Sequence, residues 1–296
     1  MTRKVPSFIS CLFVLAAAVS AQAAPRPFLV VIDPGHGGAD TGATVPFNGG
    51  SLSEKQVTLE IAKQVSADLM RRGIRVALTR NTDKDVPLPE RTAIANKLGA
   101  SVFISIHLNS SEEGEGVAEG VETYILNNST DHSSKRLADL ENSVLKDSTA
   151  IVPTAAAGTG DVALIVKDLM LDGNLGESKR LACAIQNQVV TATSTASTRY
   201  RNRGVKQALF YVLLGADMPS VLVEAGFLNN PRDRTIVTNP AAQKRISNSI
   251  AGAILEFRSG YGRSGNYSAL GRCKVGEQHM SAQKTARAPR ENRIIQ

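Results

Sequence analysis

The 296-residue sequence predicts an α/β fold: a single domain with a largely parallel mixed sheet flanked by helices, plus a helical insertion. Three observations carry that prediction. Short apolar runs alternate with helical patterns from Phe28 to Phe257, the rhythm of strands joined by crossover helices. Several of those runs end abruptly in polar or glycine-rich residues, as buried strands do where they leave a sheet. A stretch between Leu126 and Phe210 breaks the rhythm and has helical patterns only.

Phe28 to Ile32 is an apolar run closed by Asp-Pro-Gly, which reads as the first strand. From Glu54 to Met70, Val57, Ile61, Val65 and Leu69 recur at spacings of four, one face of a helix. Arg75 to Leu78 is a second strand, and Pro89 to Leu98 suits a helix with proline in its first turn. Val102 to His107 and Val121 to Leu126 are the next two strands. Phe210 to Leu213 and Val221 to Val223 are two more, and Asn239-Pro240 opens a last helix that runs to about Phe257. The interruption, residues 127–175, has a helix at Ser134 to Leu145, a linker of small uncharged residues from Ser148 to Gly160 and a helical pattern at Asp161 to Leu171. Such a linker is mobile by composition, so the insertion is a candidate lid or regulatory element. A further helical pattern, Glu177 to Thr193, suits a layer covering the sheet.

The ends differ in character from the middle. Residues 1–23 combine Arg3 and Lys4, an apolar run from Phe8 to Val19 and the small residues Ala21-Gln22-Ala23, the pattern of a secretory signal peptide. The apolar run is too short to span a bilayer. Export is expected, with the periplasm of a Gram-negative cell the leading destination and no stable membrane insertion. The formal charge is +7; Arg3 and Lys4 supply two of these charges and residues 259–296 five, so residues 24–258 are neutral. The basic balance describes a tail, and no nucleic-acid partner is expected. That tail is poor in apolar residues and is expected to stay disordered. Cys183 lies in a helical pattern and Cys273 in the tail. An oxidising compartment would permit a disulfide between them, while Cys183 also fits a small core residue.

Four segments carry candidate chemistry: Asp33-Pro-Gly-His-Gly-Gly38, Ser51-Leu-Ser-Glu-Lys55, Phe103-Ile-Ser-Ile-His-Leu-Asn109 and Val221-Leu-Val-Glu-Ala-Gly-Phe-Leu-Asn229. Histidine nitrogen and carboxylate oxygen are zinc ligands. Singly, His36 also suits a turn, His107 a core histidine and Glu54 a favourable charge at a helix start. Together they gain weight, because ligands gather beyond the carboxyl ends of strands in an open α/β sheet. His36 follows the first predicted strand, His107 ends the third and Glu224 ends the last.

These segments resemble the zinc-dependent N-acetylmuramoyl-L-alanine amidases, which trim bacterial peptidoglycan. Asp33 to Gly38 resembles the opening motif, Phe103 to Ser110 the second histidine motif and Pro219 to Asn230 the last. The resemblance implies one Zn²⁺ held by His36, Glu54 and His107, and Glu224 as the catalytic carboxylate. Asp33 is expected to orient His36 from behind, or to serve only the turn. Ala138 to Leu145 resembles the inhibitory helix of the cell-division amidases of Gram-negative bacteria, which implies Glu141 as a blocking zinc ligand. It further implies peptidoglycan as substrate, a LytM-domain activator of the divisome, and a catalytic domain of residues 24–258. A zinc carboxypeptidase or endopeptidase acting elsewhere on the stem peptide, and a non-enzymatic wall-binding scaffold, are the competing readings.

Overall fold

The computed structural model describes residues 27–111, 116, 118–129, 131–145, 161–193, 200–261, 273 and 275. The expected leader and small-residue linker lie outside the described residues. Among the described residues no helix is long and apolar enough to cross a membrane.

Six strands form the main sheet: β1 (Leu29–Pro34), β4 (Arg75–Leu78), β5 (Val102–Asn109), β6 (Val121–Leu126), β7 (Asn202–Ala208) and β8 (Ser220–Phe227), in the order β4-β1-β5-β8-β6-β7. β4, β1, β5 and β8 are mutually parallel, while β6 pairs antiparallel with β8 and parallel with β7. β1, β5 and β8 are buried along their whole length, which is why they appear in the sequence as almost unbroken apolar runs. A separate hairpin, β2 (Thr44–Phe47) and β3 (Gly50–Ser53), leads into α1 (Glu54–Arg71).

Each sheet face has its own core. On one, α1, α4 (Asp161–Thr193) and α7 (Pro240–Gly260) cover Val30, Ile32, Ile104, Ile106, Val221 and Val223. On the other, Phe103, Leu222 and Tyr124 pack with Phe210, Leu213 and two residues of α3 (His132–Glu141), Leu137 and Ala138. The side chains alternate along the strands, so His107 and Glu224 share this second face with Phe103 and Leu222. α2 (Leu88–Leu98) and α5 (Tyr211–Leu214) complete its cover, and α6 (Pro231–Thr238) links β8 to α7.

Several expectations change. Phe210 to Leu213 is not a strand; Tyr211 to Leu214 is one turn of helix. A short apolar run buries itself equally well in either form. The strand in that region is β7, whose residues Asn202 to Ala208 are mostly polar because it is an edge strand. The two helical patterns after Gly160 are one continuous helix, α4, with Gly173 and Gly176 inside it. The segment expected to be inhibitory is a helix to Glu141 and then a 3₁₀ turn, Asn142–Leu145. Two residues of the tail are held, Cys273 by a disulfide with Cys183 of α4 and Val275 by a bridge to Val205 of β7, and the rest of it beyond Tyr261 lies outside the described residues. A covalent bond supplies the anchorage that the tail's apolar content does not.

Candidate metal centre

His36 follows β1 in a loop where His36, Gly37 and Gly38 all have positive φ, at 59°, 131° and 62°. Two buried arginines hold that backbone. Arg80 donates to the carbonyls of Pro34 and Gly35, and Arg91 to those of Pro34 and His36. Arg91 is itself seated by Asp33, 2.9 Å away, and Asp33 also accepts from Thr79 and Ser105. Asp33 therefore acts on the loop's backbone and does not take the place expected for it behind the His36 ring. Asp40 takes that place, with Oδ2 2.9 Å from His36 Nδ1.

Glu54 is the first residue of α1, where the helix dipole favours a carboxylate. The side chain of Gln56 accepts from the Ser53 N–H and closes the helix start. Glu54 Oε1 accepts from the Leu108 N–H at 2.8 Å and Oε2 from the Ala43 N–H at 3.0 Å. His107 sits near the end of β5, its ring packed on Gly35; a Cβ at Gly35 would lie 2.5 Å from that ring. Gly42 cradles the other side: its φ is +60°, and a Cβ there would lie 2.5 Å from the His36 ring and 2.6 Å from Glu54 Oε2. Neither Asp40 nor Gly42 was among the expected residues, although the spacing His-x-x-x-Asp-x-Gly placed both close behind His36.

Four side chains converge. His36 Nε2 is 3.0 Å from Glu54 Oε1 and 3.4 Å from Glu141 Oε2, and His107 Nδ1 is 3.1 Å and 3.2 Å from the same two oxygens. One donor atom from each of His36, Glu54, His107 and Glu141 lies within 4.8 Å of the rest. His36 Nε2 is buried and has no hydrogen-bond partner of acceptable geometry, despite the two carboxylates beside it. The donor atoms thus converge on a shared point, with His107 Nδ1 and Glu54 Oε1 hydrogen-bonded at 3.1 Å and His36 Nε2 left without a partner. Burial opposes charge on both imidazoles, yet Glu54 and Glu141 outweigh it. They raise His36 well above its usual range and His107, chiefly through Glu141, to about 10. Burial likewise opposes ionisation of Glu54, but the two histidines hold its carboxyl well below the usual range. Two nitrogens and two oxygens around one point, short of positive charge, fit a tetrahedral divalent cation such as zinc.

Glu224 lies beside the cluster. It is the register partner of His107 across β5 and β8, and it is fully buried. Neither of its carboxylate oxygens has a hydrogen-bond partner. Burial, together with Glu141 and Glu54, outweighs His107 and pushes its pKa well up. A carboxylate so placed is suited to hold a proton and pass it on.

The sequence pattern of the family described as N-acetylmuramoyl-L-alanine amidase matches residues 30–256. The chain belongs to this family of hydrolases. It is 34% identical over 233 residues to the amidase AmiA of Salmonella typhimurium, covering 77% of this chain and 75% of that protein. It is 33% identical over 234 residues to AmiC of Neisseria meningitidis, covering 78% of this chain and only 53% of that protein. The match therefore spans about half of the longer relative. The fold also matches the crystal structure of an N-acetylmuramoyl-L-alanine amidase from Clostridium difficile 630, with a TM-score of 0.60 and 27% identity over 80% of this chain and all of that one.

Proposed function

We propose that the chain is an exported, zinc-dependent peptidoglycan hydrolase that cuts the amide between the lactyl group of N-acetylmuramic acid and the L-alanine of the stem peptide. The observation that carries this reading is the convergence of His36, Glu54, His107 and Glu141 beside a buried carboxylate, Glu224, with no hydrogen-bond partner. His36, Glu54 and His107 would hold the ion, which when bound polarises the scissile carbonyl and lowers the pKa of water. Asp40 holds Nδ1 of His36 so that Nε2 faces the ion. Glu224 takes the proton from the attacking water at a carboxylate oxygen. It then returns that proton to the departing nitrogen, which leaves poorly without it.

Glu141 supplies the fourth donor, so an attacking water has no place until α3 withdraws. We read this as autoinhibition. It is supported by the placement of Glu141 Oε2 3.2 Å from His107 Nδ1 and by the shallow seating of α3, whose Leu140 stays 49% exposed. An activator must then remove the helix. The resemblance to cell-division amidases points to a LytM-domain protein of the divisome, to a periplasmic site of action and to a role in separating daughter cells. Purified wall digested by the zinc-loaded Glu141→Ala protein tests the reading. Intact stem peptides beginning with L-alanine are expected, and Glu224→Gln should abolish their release. Shortened stems would favour a peptidase, and full activity in Glu224→Gln would refute the assigned role.

A further inference from the structure

A row of side chains crosses four strands on the face that carries the metal centre. His107 of β5 is in register with Glu224 of β8, and Glu224 with Glu122 of β6. Directly opposed residues project to the same side of a sheet. Beyond Glu122 the pairing with β7 shifts: Val121 opposes Asn202, but Thr123 opposes Val205. The extra residue is a bulge, with Gly204 at φ +85°, and bulges re-aim side chains. This one turns Arg203 over β6, where its Nε donates to Glu122 Oε1.

Glu122 is saturated. Lys206 Nζ donates to Oε1 at 2.7 Å, while Asn109 Nδ2 and the Tyr124 hydroxyl donate to Oε2 at 3.1 Å and 2.6 Å. With the Arg203 bond, that fills the four acceptor positions of a carboxylate. Glu122 faces two cations, and Asp131 at the start of α3 also attracts Lys206, so a net positive charge is left over once α3 withdraws. The Arg203 guanidinium is further fixed over the Phe227 ring, 5.1 Å from its centroid. Its side chain is 26% exposed, and among the described residues only Nε is engaged. A cavity lies in front of it, lined by Asn109, Glu122, Arg203 and Phe227 on the sheet and by Leu137 and Leu140 of α3. Withdrawal of α3 would turn that cavity into an open groove continuous with the reaction centre.

We infer that Arg203, with Lys206 beside it, is a carboxylate-recognising subsite for the stem peptide; the inference rests on the amidase reading above. Glu224 must reach the departing nitrogen, so the peptide lies on the Glu224 side of His107, which is the direction of Glu122 and Arg203. β7 stands two strand spacings from β8, about 10 Å, and the Arg203 side chain reaches back across one of them. Its terminal amines then stand about 5 Å from β8, within reach of a group on the second residue of an extended peptide. That group is the free carboxylate of the residue after L-alanine. A bidentate guanidinium–carboxylate pair discriminates it from a neutral amide.

The test uses the full chain with Glu141→Ala and two soluble probes, N-acetylmuramoyl-L-alanyl-D-isoglutamate and its isoglutamine counterpart. The kcat/KM ratio of acid to amide is expected to be about tenfold, carried by KM. Arg203→Met should bring the ratio near one, and Arg203→Lys should leave it between. A parent ratio near one overturns the subsite without any substitution at Arg203, and so does an unchanged ratio in Arg203→Met. Digestion of wall by the same Glu141→Ala protein separates the two ideas: no release of stem peptides sinks the amidase reading, whereas release without acid preference sinks the subsite alone.

Discussion

Asp40 holds Nδ1 of His36, and Arg91 holds the carbonyl of the same residue, so one metal-facing imidazole is set by a carboxylate on its ring and a cation on its backbone. Partners of this kind tune affinity more than they contribute bonds. Asp40→Ala should weaken zinc binding about tenfold or more, read by competition with a chelator in folded protein; unaltered affinity would remove Asp40 from the account. The two imidazoles also fix a pH dependence. Both have raised pKa values, His107 to about 10, so the metal-free protein carries protons that zinc must displace. Zinc affinity should therefore climb as pH rises toward about 10, and calorimetry in buffers of different ionisation enthalpy should show about two protons released at pH 7. In the metal-free protein the sign is opposite. The stability these protonated histidines contribute is complete below their unfolded pKa near 6.5 and is lost as pH rises through about 10. Zinc uptake without proton release would contradict the electrostatics described.

The element proposed to control activity is α3. Its Leu137 and Ala138 dock on the second core, and Asp131 caps its start by accepting from the Ser134 N–H. At the other end, Asn142 imitates a strand: its Nδ2 donates to the Leu209 carbonyl at 2.8 Å, and its Oδ1 accepts from the Tyr211 N–H at 2.9 Å. Asn142→Ala should lose two modest bonds and raise basal wall lysis several-fold, since each bond biases closure by about 1 kcal/mol; a folded variant with unchanged lysis would show that the latch lies elsewhere. The disulfide acts at this scale too. It closes a loop of 90 residues between Cys183 and Cys273, so Cys273→Ser should cost roughly 2–5 kcal/mol of stability in denaturant unfolding. Equal midpoints with and without the bond would leave it without a stabilising role.

Much of this was legible along the chain, for a physical reason. β1, β5 and β8 are buried on both faces, and α1 presents a regular apolar stripe, so each left a clear apolar pattern along the chain. The histidines and Glu224 stand at strand ends, where the topology brings chemistry together. β7 was not legible because Asn202, Arg203 and Lys206 lie at a bulged edge, where side chains serve the groove rather than the core. Asp40, not Asp33, meets the His36 ring because a turn of glycines, not linear distance, decides which carboxylate reaches it.

At the scale of the whole molecule, a sheet with His36, His107 and Glu224 at one end is joined to a helix whose Glu141 reaches the same cluster. On the reading proposed above, the folded body, the fourth donor and the groove with its cationic wall would make one device, its chemistry withheld by a single carboxylate. Release of α3 should expose the metal and the peptide subsite in one movement, because Glu141 and Leu137 ride on the same helix. Mass spectrometry of purified peptidoglycan digested by the zinc-loaded full chain, by Glu141→Ala and by Glu141→Ala with Glu224→Gln decides whether Glu141 withholds an amidase. Little release is expected from the first, abundant intact stem peptides beginning with L-alanine and peptide-free glycan from the second, and none from the third. Equal release by the first two, or stems cut at another bond, would contradict that reading.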